Sequence, residues 1–256
     1  MSDFWIAFLF TLAAGLSTGI GSCSAFLMKH TSNQFLGFML GFSAGVMIYV
    51  SMIEIYFKAQ DALINELGEK TAEWVTAAAF FGGILIVALI DRMIPTGIPS
   101  EKGSKSGTDL MRMGVLTALA IAIHNFPEGI ATFVSALQEP TVAVPIVVAI
   151  AIHNIPEGVA VSVPIYKATG SKSKAFFYSL FSGLTEPIGG ILAGAVLMPV
   201  INDFIFGIIF ASVAGIMVYI SFNELLPTAR EYAKGNIATT GFILGMAVMA
   251  TSLLLF

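Results

Sequence analysis

Two short segments of this chain carry the same set of residues able to bind a metal ion. The ten residues AIAIHNFPEG, at 120–129, return as AIAIHNIPEG at 149–158, a constant offset of 29 in which only the residue before proline differs. Of the three histidines in the chain, two lie in these copies. Each copy places its histidine, amide and carboxylate within an apolar stretch. Because ionisable groups are costly inside a bilayer, we expect the pair to mark a functional site.

The spacing within each copy places the polar side chains on one face of a helix. The six polar residues are His124, Asn125 and Glu128 in the first copy and His153, Asn154 and Glu157 in the second. Residues three and four positions apart are neighbours on a helical surface, so each trio can point the same way. Pro127 and Pro156 each remove a backbone donor, which membrane helices tolerate where they line a cavity or pack on protein. If the two helices pack together, two imidazoles, two amides and two carboxylates converge.

This set of groups favours divalent transition metals. Imidazole and carboxylate together suit zinc, iron, manganese or cobalt, and the lack of thiolates argues against copper(I). The single cysteine, Cys23, excludes a cysteine-based zinc site within one chain. We therefore expect Zn²⁺, Fe²⁺ or a related divalent ion to follow a path through the protein as its substrate, with no resident cofactor.

Further polar residues lie within or near the apolar segments. Glu186 stands in the sequence TEPIGG, again beside a proline, and is the best candidate for a shared metal ligand. Glu54 lies near the end of the second apolar segment, and Asn223 with Glu224 lies near the end of the seventh. Carboxylates near the end of a membrane helix can reach the interface, so these last three residues are weaker metal candidates.

The composition predicts the class of fold that must position these groups. Hydrophobic residues make up 57% of the chain and charged residues only 11%, against about 25% charged in average soluble proteins. Eight apolar segments have close to the roughly 20 residues that cross a bilayer. They cover approximately 4–28, 34–57, 73–94, 110–136, 141–165, 175–199, 204–226 and 236–255. We predict an all-α integral membrane protein with a single domain over 1–256, surrounded by lipid and with no nucleic-acid partner.

Lysine and arginine are distributed unevenly between the two sides of such a protein. The odd-numbered connections hold ten of these residues, whereas the even-numbered connections hold only Lys58 and Lys70. By the positive-inside rule the odd connections are cytoplasmic and both termini are extracytoplasmic. The stretch at about 95–109, rich in Gly, Ser, Pro and Lys, is predicted to be a flexible cytoplasmic loop.

At these residues the sequence resembles the ZIP family of divalent metal transporters, most closely its bacterial ZupT and GufA-like branch. The resemblance covers the whole chain: eight spans, termini outside, a cytoplasmic loop between the third and fourth spans, and paired His-Asn-x-Pro-Glu-Gly motifs in the fourth and fifth. A Glu-Pro pair in the sixth span and Asn-Glu-Leu-Leu-Pro in the seventh add to it.

The resemblance implies a binuclear metal site midway through the protein. One metal would be held by His124, Glu128, His153 and Glu157, and the second by Asn125, Glu128, Asn154, Glu157 and Glu186, with Glu128 and Glu157 bridging. Glu54, Asn223 and Glu224 match further contacts near the entrance or exit. The resemblance also implies a multi-pass protein of the inner (plasma) membrane that imports metal into the cytoplasm, by an elevator-like shift of one helix bundle against another and often as a homodimer.

Two other functions fit parts of the same pattern. An intramembrane metal-dependent hydrolase would use one ion to activate water and a glutamate as base. The chain has no His-Glu-x-x-His motif, and its candidate ligands form a matched pair rather than the three-ligand open site of a catalytic zinc. A passive ion channel also fits a polar path, and saturable uptake without conductance would exclude it. We expect a transporter rather than an enzyme.

Overall fold

The computed structural model describes residues 2–27, 32–93, 107–138, 140–197 and 202–255, and this part of the chain is helical with no strand. The α-helices are α1 (Ser2–Leu27), α2 (Asn33–Val50), α3 (Tyr56–Leu67), α4 (Glu69–Met93), α5 (Gly107–Gln138), α6 (Pro140–Thr169), α7 (Lys172–Leu192), α8 (Asp203–Ile220), α9 (Leu226–Tyr232) and α10 (Ile237–Leu255). Three π-helical turns, Ser51–Ile55, Ala193–Leu197 and Ser221–Leu225, follow α2, α7 and α8 without a break.

Seven helical stretches of the described chain are long and apolar enough to cross a membrane. They are Asp3–Cys23, Asn33–Leu67, Glu69–Arg92, Leu110–Val134, Lys172–Val196, Asp203–Tyr232 and Ile237–Leu254. The remaining predicted span, 141–165, falls within α6, a helix of 30 residues that is not among these seven. The described part of the chain is therefore all-helical, its long apolar helices support a multi-pass membrane protein, and the count of eight spans stays a prediction.

Some helix boundaries differ from those predicted. The second span was expected to end at 57, where charged residues begin, but the helix continues to Leu67. It continues because α3 is amphipathic: Ala59 and Leu63 are fully buried, whereas Lys58 and Asp61 are exposed. The predicted flexible loop falls mostly on residues 94–106, outside the described part of the chain, and α5 already begins at Gly107.

The helices pack as two groups. Helices α1, α5, α6 and α7 pack mainly on one another and form what we call the polar bundle. Helices α2, α3, α4, α8, α9 and α10 form the second group, called the frame, in which α2 packs on α10 and α8 packs on α3 and α4. The main contact between the groups is that of α6 on α2.

Glycine allows the closest helix contacts, and these lie within each group. In the frame, a β-carbon on Gly45 would overlap the backbone of Phe242, so α2 and α10 touch backbone to backbone. Every described glycine with a close neighbour has its nearest neighbours in its own group. Contacts between the groups instead involve Val159, Ala160 and Val163 of α6, which belong to the apolar core of the frame. The polar bundle and the frame therefore contact each other through apolar side chains, without the close backbone contacts found within each group.

Candidate metal site

The two repeated motifs meet inside the polar bundle, and each histidine pairs with the glutamate of the other motif. His124 Nε2 lies 3.3 Å from Glu157 Oε1, and His153 Nε2 lies 3.1 Å from Glu128 Oε1. Three of these four side chains are almost completely buried, and Glu128 is 8% exposed. His153 Nε2 is hydrogen-bonded to Glu128, whereas His124 Nε2 and both carboxylate oxygens of Glu157 have no hydrogen-bond partner within the described residues. Two His–Glu pairs of similar spacing thus lie across the contact of α5 with α6.

The glycine that ends each motif allows another helix to pack closely beside the site. A β-carbon on Gly129 would overlap the backbone oxygen of Glu186 in α7, and one on Gly158 would overlap that of Thr18 in α1. The absence of a side chain lets these backbones approach closely. The contact at Gly129 brings Glu186 next to the motifs, and the contact at Gly158 brings α1 against α6, where α1 also packs on α7. The same short motif therefore supplies both the polar side chains and the surface on which the flanking helix packs.

The two asparagines connect the paired motifs to these flanking helices. Asn154 Nδ2 donates to Glu186 Oε2 at 3.0 Å and to the backbone oxygen of Ala14 at 3.1 Å. Asn125 Nδ2 donates to the backbone oxygen of Ser182 at 3.2 Å. Within the described residues, Asn125 Oδ1, Asn154 Oδ1 and Glu186 Oε1 are buried without a hydrogen-bond donor. Such oxygens are the ligands that a cation could satisfy.

The charge of the site also favours cations. Glu128, Glu157 and Glu186 are all buried, while no lysine or arginine is buried anywhere in the described part of the chain. Buried carboxylates are normally paired or coordinate metals, because an isolated buried charge is very unfavourable. The groups form pairs rather than a closed cage, since no three His, Cys, Asp or Glu side chains of the described residues stand around one position. A metal ion would have to take over carboxylate contacts that the histidines now make.

The weaker candidates Glu54, Asn223 and Glu224 lie away from this cluster. Glu54 is half-buried in the π-helical turn after α2 and forms an ion pair with Lys58. Asn223 is exposed and Glu224 half-buried in the equivalent turn after α8. π-Helical turns within α-helices often occur at functional sites. The structure therefore brings seven of the ten predicted site residues together and leaves three at the ends of the frame.

The two turns belong to an internal repeat that spacing within a single span did not reveal. AGVMIYVSMIEI at 44–55 aligns without gaps with AGIMVYISFNEL at 214–225, and the offset is 170. The local hydrogen bonds agree: Ser51 Oγ donates to Met47 O at 2.6 Å, and Ser221 Oγ donates to Met217 O at 2.8 Å. A search of the sequence for self-similarity at long offsets would have found this repeat.

Asp91 is a polar residue of this region that the motifs did not identify. Its Oδ2 accepts hydrogen bonds from Tyr219 at 3.1 Å and from Asn223 Nδ2 at 3.2 Å. Asn223 Nδ2 also lies 3.2 Å from Glu224 Oε1, so one amide connects two carboxylates from α4 and the turn after α8. The only sequence signal was the position of Asp91 near the end of an apolar segment that was predicted to finish on the same side as Glu224.

The fold and the buried cluster together describe a multi-pass membrane protein with a candidate metal site in its interior. Comparison with known proteins agrees with this class. A family model described as "ZIP Zinc transporter" matches residues 96–253. The zinc transporter ZupT of Streptococcus mutans is 59% identical over 98% of this chain and 97% of its own length. Those of Oceanobacillus iheyensis and Clostridium perfringens are 57% and 54% identical, each over 100% of this chain and 99% and 98% of their own lengths.

The chain belongs to the ZIP family. The resemblance expected from the paired motifs is thereby confirmed, and with it the prediction of a divalent metal transporter. The chain is a transporter and not an enzyme, so the family assignment rules against the intramembrane hydrolase.

Proposed function

We propose that this protein imports zinc, and other divalent transition metals such as iron, manganese, cobalt or cadmium, through the cluster formed by the paired motifs and Glu186. The observation that carries the proposal is the reciprocal pairing of His124 with Glu157 and of His153 with Glu128 in the buried interior of the polar bundle. The full-length relatives named as zinc transporters support zinc as a substrate.

Two metal positions fit the groups in the cluster. The first would use the two histidines with Glu128 and Glu157, because each histidine lies 3.1–3.3 Å from the glutamate of the other motif. The second would use Asn125 Oδ1, Asn154 Oδ1 and Glu186, the buried oxygens without donors, together with the same two bridging glutamates. Imidazole nitrogen in the first position favours transition metals over magnesium and calcium, which prefer oxygen ligands.

A metal that loses its hydration shell at this site must gain and later lose access to each side. We propose that the polar bundle moves as a unit against the frame. The close backbone contacts within each group support this, because they would hold each group together during the movement. The contact between the groups involves branched and small apolar side chains, which can slide without separating hydrogen-bonded backbones.

The turns at the ends of the frame would serve entry and release. We assign Glu54 to the extracytoplasmic mouth, where its ion pair with Lys58 would yield to an arriving cation. Asp91, Asn223 and Glu224 would receive the metal on the cytoplasmic side, where two carboxylates flank one amide. The contacts of residues predicted to lie on that side support this orientation: Asp91 meets Asn223, and Lys167 meets Asn33.

The proposed setting is the plasma (inner) membrane, with eight spans surrounded by lipid and both termini outside. We also propose that the protein forms a homodimer. Helix α4 offers a surface for either lipid or a second copy, since Phe81, Leu85 and Leu89 are all at least half exposed.

The test is uptake of radioactive zinc into proteoliposomes that contain the purified protein. The variant Glu128→Ala/Glu157→Ala should lose saturable uptake, whereas Glu73→Ala, which removes an exposed carboxylate of α4, should retain it. Competition by iron, manganese, cobalt and cadmium then measures selectivity. No uptake by the intact protein, or equal loss in the Glu73→Ala control, would contradict the proposed path.

A further inference from the structure

An apolar groove lies on the outer surface of the polar bundle, between α5 and α7. Its volume is about 520 Å³, within the range of cavities that bind small molecules. Its walls include Val115, Leu119 and Ala122 of α5 and Phe177 and Phe181 of α7. Exposed apolar side chains are ordinary on a membrane protein, whereas a concave seam of this size can hold one chain of a lipid in a defined place.

One end of the groove carries a positive charge. Lys174 lines the groove beside Ser173, in the first turn of α7, and its ammonium has no ion-pair partner in the part of the chain that the structure describes. Lys172 and Arg112 lie at the same end of these two helices. This end is cytoplasmic in the proposed orientation. Basic pockets between membrane helices on the cytoplasmic side are suited to anionic lipid head groups.

The other end of the groove reaches the helix contact that supports the candidate metal site. Ala122 precedes His124 by two residues, and Ser182, also in the lining, accepts a hydrogen bond from Asn125 Nδ2 through its backbone oxygen. An occupant of the groove would therefore pack against the seam between α5 and α7 at the level of the site. Binding there would stabilise the polar bundle, because a ligand that binds only the folded protein raises its stability.

We infer that the groove between α5 and α7 binds one anionic phospholipid of the cytoplasmic leaflet, with an acyl chain along Val115, Leu119, Phe177 and Phe181 and the phosphate on Lys174. The charge at one end and the apolar walls match the two parts of such a lipid. The inference depends on the proposed orientation for the leaflet but not on metal transport. Failure of the lipid experiment therefore leaves the uptake test intact.

The experiment measures binding of dioleoyl phosphatidylglycerol and dioleoyl phosphatidylcholine to the purified detergent-solubilised protein. Native mass spectrometry gives the bound fraction, and the unfolding temperature reports stabilisation. The wild type should bind phosphatidylglycerol more tightly and be stabilised by it. Lys174→Ala should weaken the binding of phosphatidylglycerol by about five-fold, which is the contribution of one basic residue near a lipid surface. It should leave the binding of phosphatidylcholine unchanged. Val115→Trp, which fills the groove, should bind neither lipid.

Two controls separate a defined site from general attraction to lipid. Lys234→Ala removes an exposed lysine far from the groove lining, and Ile243→Trp adds an indole to the exposed face of α10. Both should bind the two lipids as the wild type does. Equal affinity of the wild type for the two lipids would overturn the inference. An equal loss of phosphatidylglycerol binding in Lys234→Ala, or retained binding of either lipid in Val115→Trp, would also overturn it. A groove covered instead by a second copy of the chain would appear as a dimer that Val115→Trp dissociates without any effect of lipid, which would also overturn it.

Discussion

The polar bundle and the frame are built by the same packing rule but differ in what they bury. Both use glycine to bring helix backbones into contact. The polar bundle buries two histidines, two asparagines and three glutamates, whereas the buried polar side chains of the frame are hydroxyls, within the described residues. Three of those hydroxyls, on Ser51, Thr76 and Ser221, donate to the backbone of their own helix. The frame therefore needs no other helix to satisfy these groups, while the polar bundle does.

This difference shows how one membrane protein can combine costly polar groups with stability. Every ionisable side chain at the candidate site contacts a different helix: His124 meets α6, His153 meets α5, and Glu186 meets Asn154 of α6. These contacts form only when α5, α6 and α7 assemble. The frame supplies an apolar surface, including Val46 and Val213, against which that assembly rests. In the proposed mechanism, the same partition would separate the group of helices that binds the metal from the group that supports its movement.

Removing a carboxylate should distinguish the two regions most strongly. Glu157→Gln retains the size of the side chain but removes the negative charge of a proposed bridging ligand. Zinc uptake should fall by more than about 100-fold, since even residues that only support a metal ligand contribute about 10- to 100-fold. Glu54→Gln, in the frame, should reduce initial uptake by less than about 10-fold, because its carboxylate is half-buried and is proposed to act only at the entrance. Initial rates in proteoliposomes measure both, and similar losses in the two variants would remove the distinction.

A substitution at a backbone contact should test the packing within the polar bundle. Gly129→Ala places a methyl group on the backbone of Glu186, so we expect destabilisation of about 1–3 kcal/mol or more. Gly82→Ala in α4 is the matched control, because no atom lies within 4 Å of its added carbon. It should be neutral or stabilising by up to about 1 kcal/mol through helix propensity. The free energy of unfolding in detergent measures the two. A Gly129→Ala protein as stable as the control would contradict the close contact.

The pH dependence of uptake should come from the polar bundle. Protons compete with metal for imidazole, whose unperturbed pKa is about 6.5. Uptake should therefore decrease as the pH falls. We expect uptake at low zinc to decrease by about 30-fold or more between pH 7.5 and 5, because the neutral fraction of one such imidazole falls by about that factor. Glu54→Gln should retain this profile. A flat profile for the wild type between pH 5 and 8 would count against ligation by His124 and His153.

The smallest effect is expected at the boundary between the two regions. The ammonium of Lys167, at the end of α6, donates to Asn33 Oδ1 and lies 4.9 Å from the ring centre of Tyr232, so it joins the polar bundle to two helices of the frame. Lys167→Ala should weaken the contact between the polar bundle and the frame by about 1 kcal/mol, so the separated state should become about five-fold more populated. Val163 is buried at this contact. A cysteine at Val163, in a Cys23→Ser background, should therefore react with a thiol reagent about five-fold faster. Lys234→Ala is the control, and equal labelling in all three proteins would show that Lys167 does not hold the two regions together.

Much of the candidate site was predictable because it is encoded by local spacing. The polar groups recur at a fixed offset, and the helical period places each trio on one face. The prediction of Glu186 followed from its unusual position in an apolar span beside a proline. Asp91 was not predicted, because a lone carboxylate near a span end has no spacing pattern. The repeat at 44–55 and 214–225 was visible in the sequence but requires comparison of distant segments.

The sequence by itself determined the class of protein, the pair of motifs and the residues able to bind metal. Composition and helical period are local properties, so they do not depend on how the helices assemble. Tertiary structure alone decided that His124 meets Glu157 rather than Glu128 four residues along its own helix. It also decided which helix contacts the glycine of each motif. These contacts depend on how the helices rotate and approach one another. The motifs in α5 and α6 are nearly identical, so their residues do not specify that geometry before the flanking helices α7 and α1 pack against them.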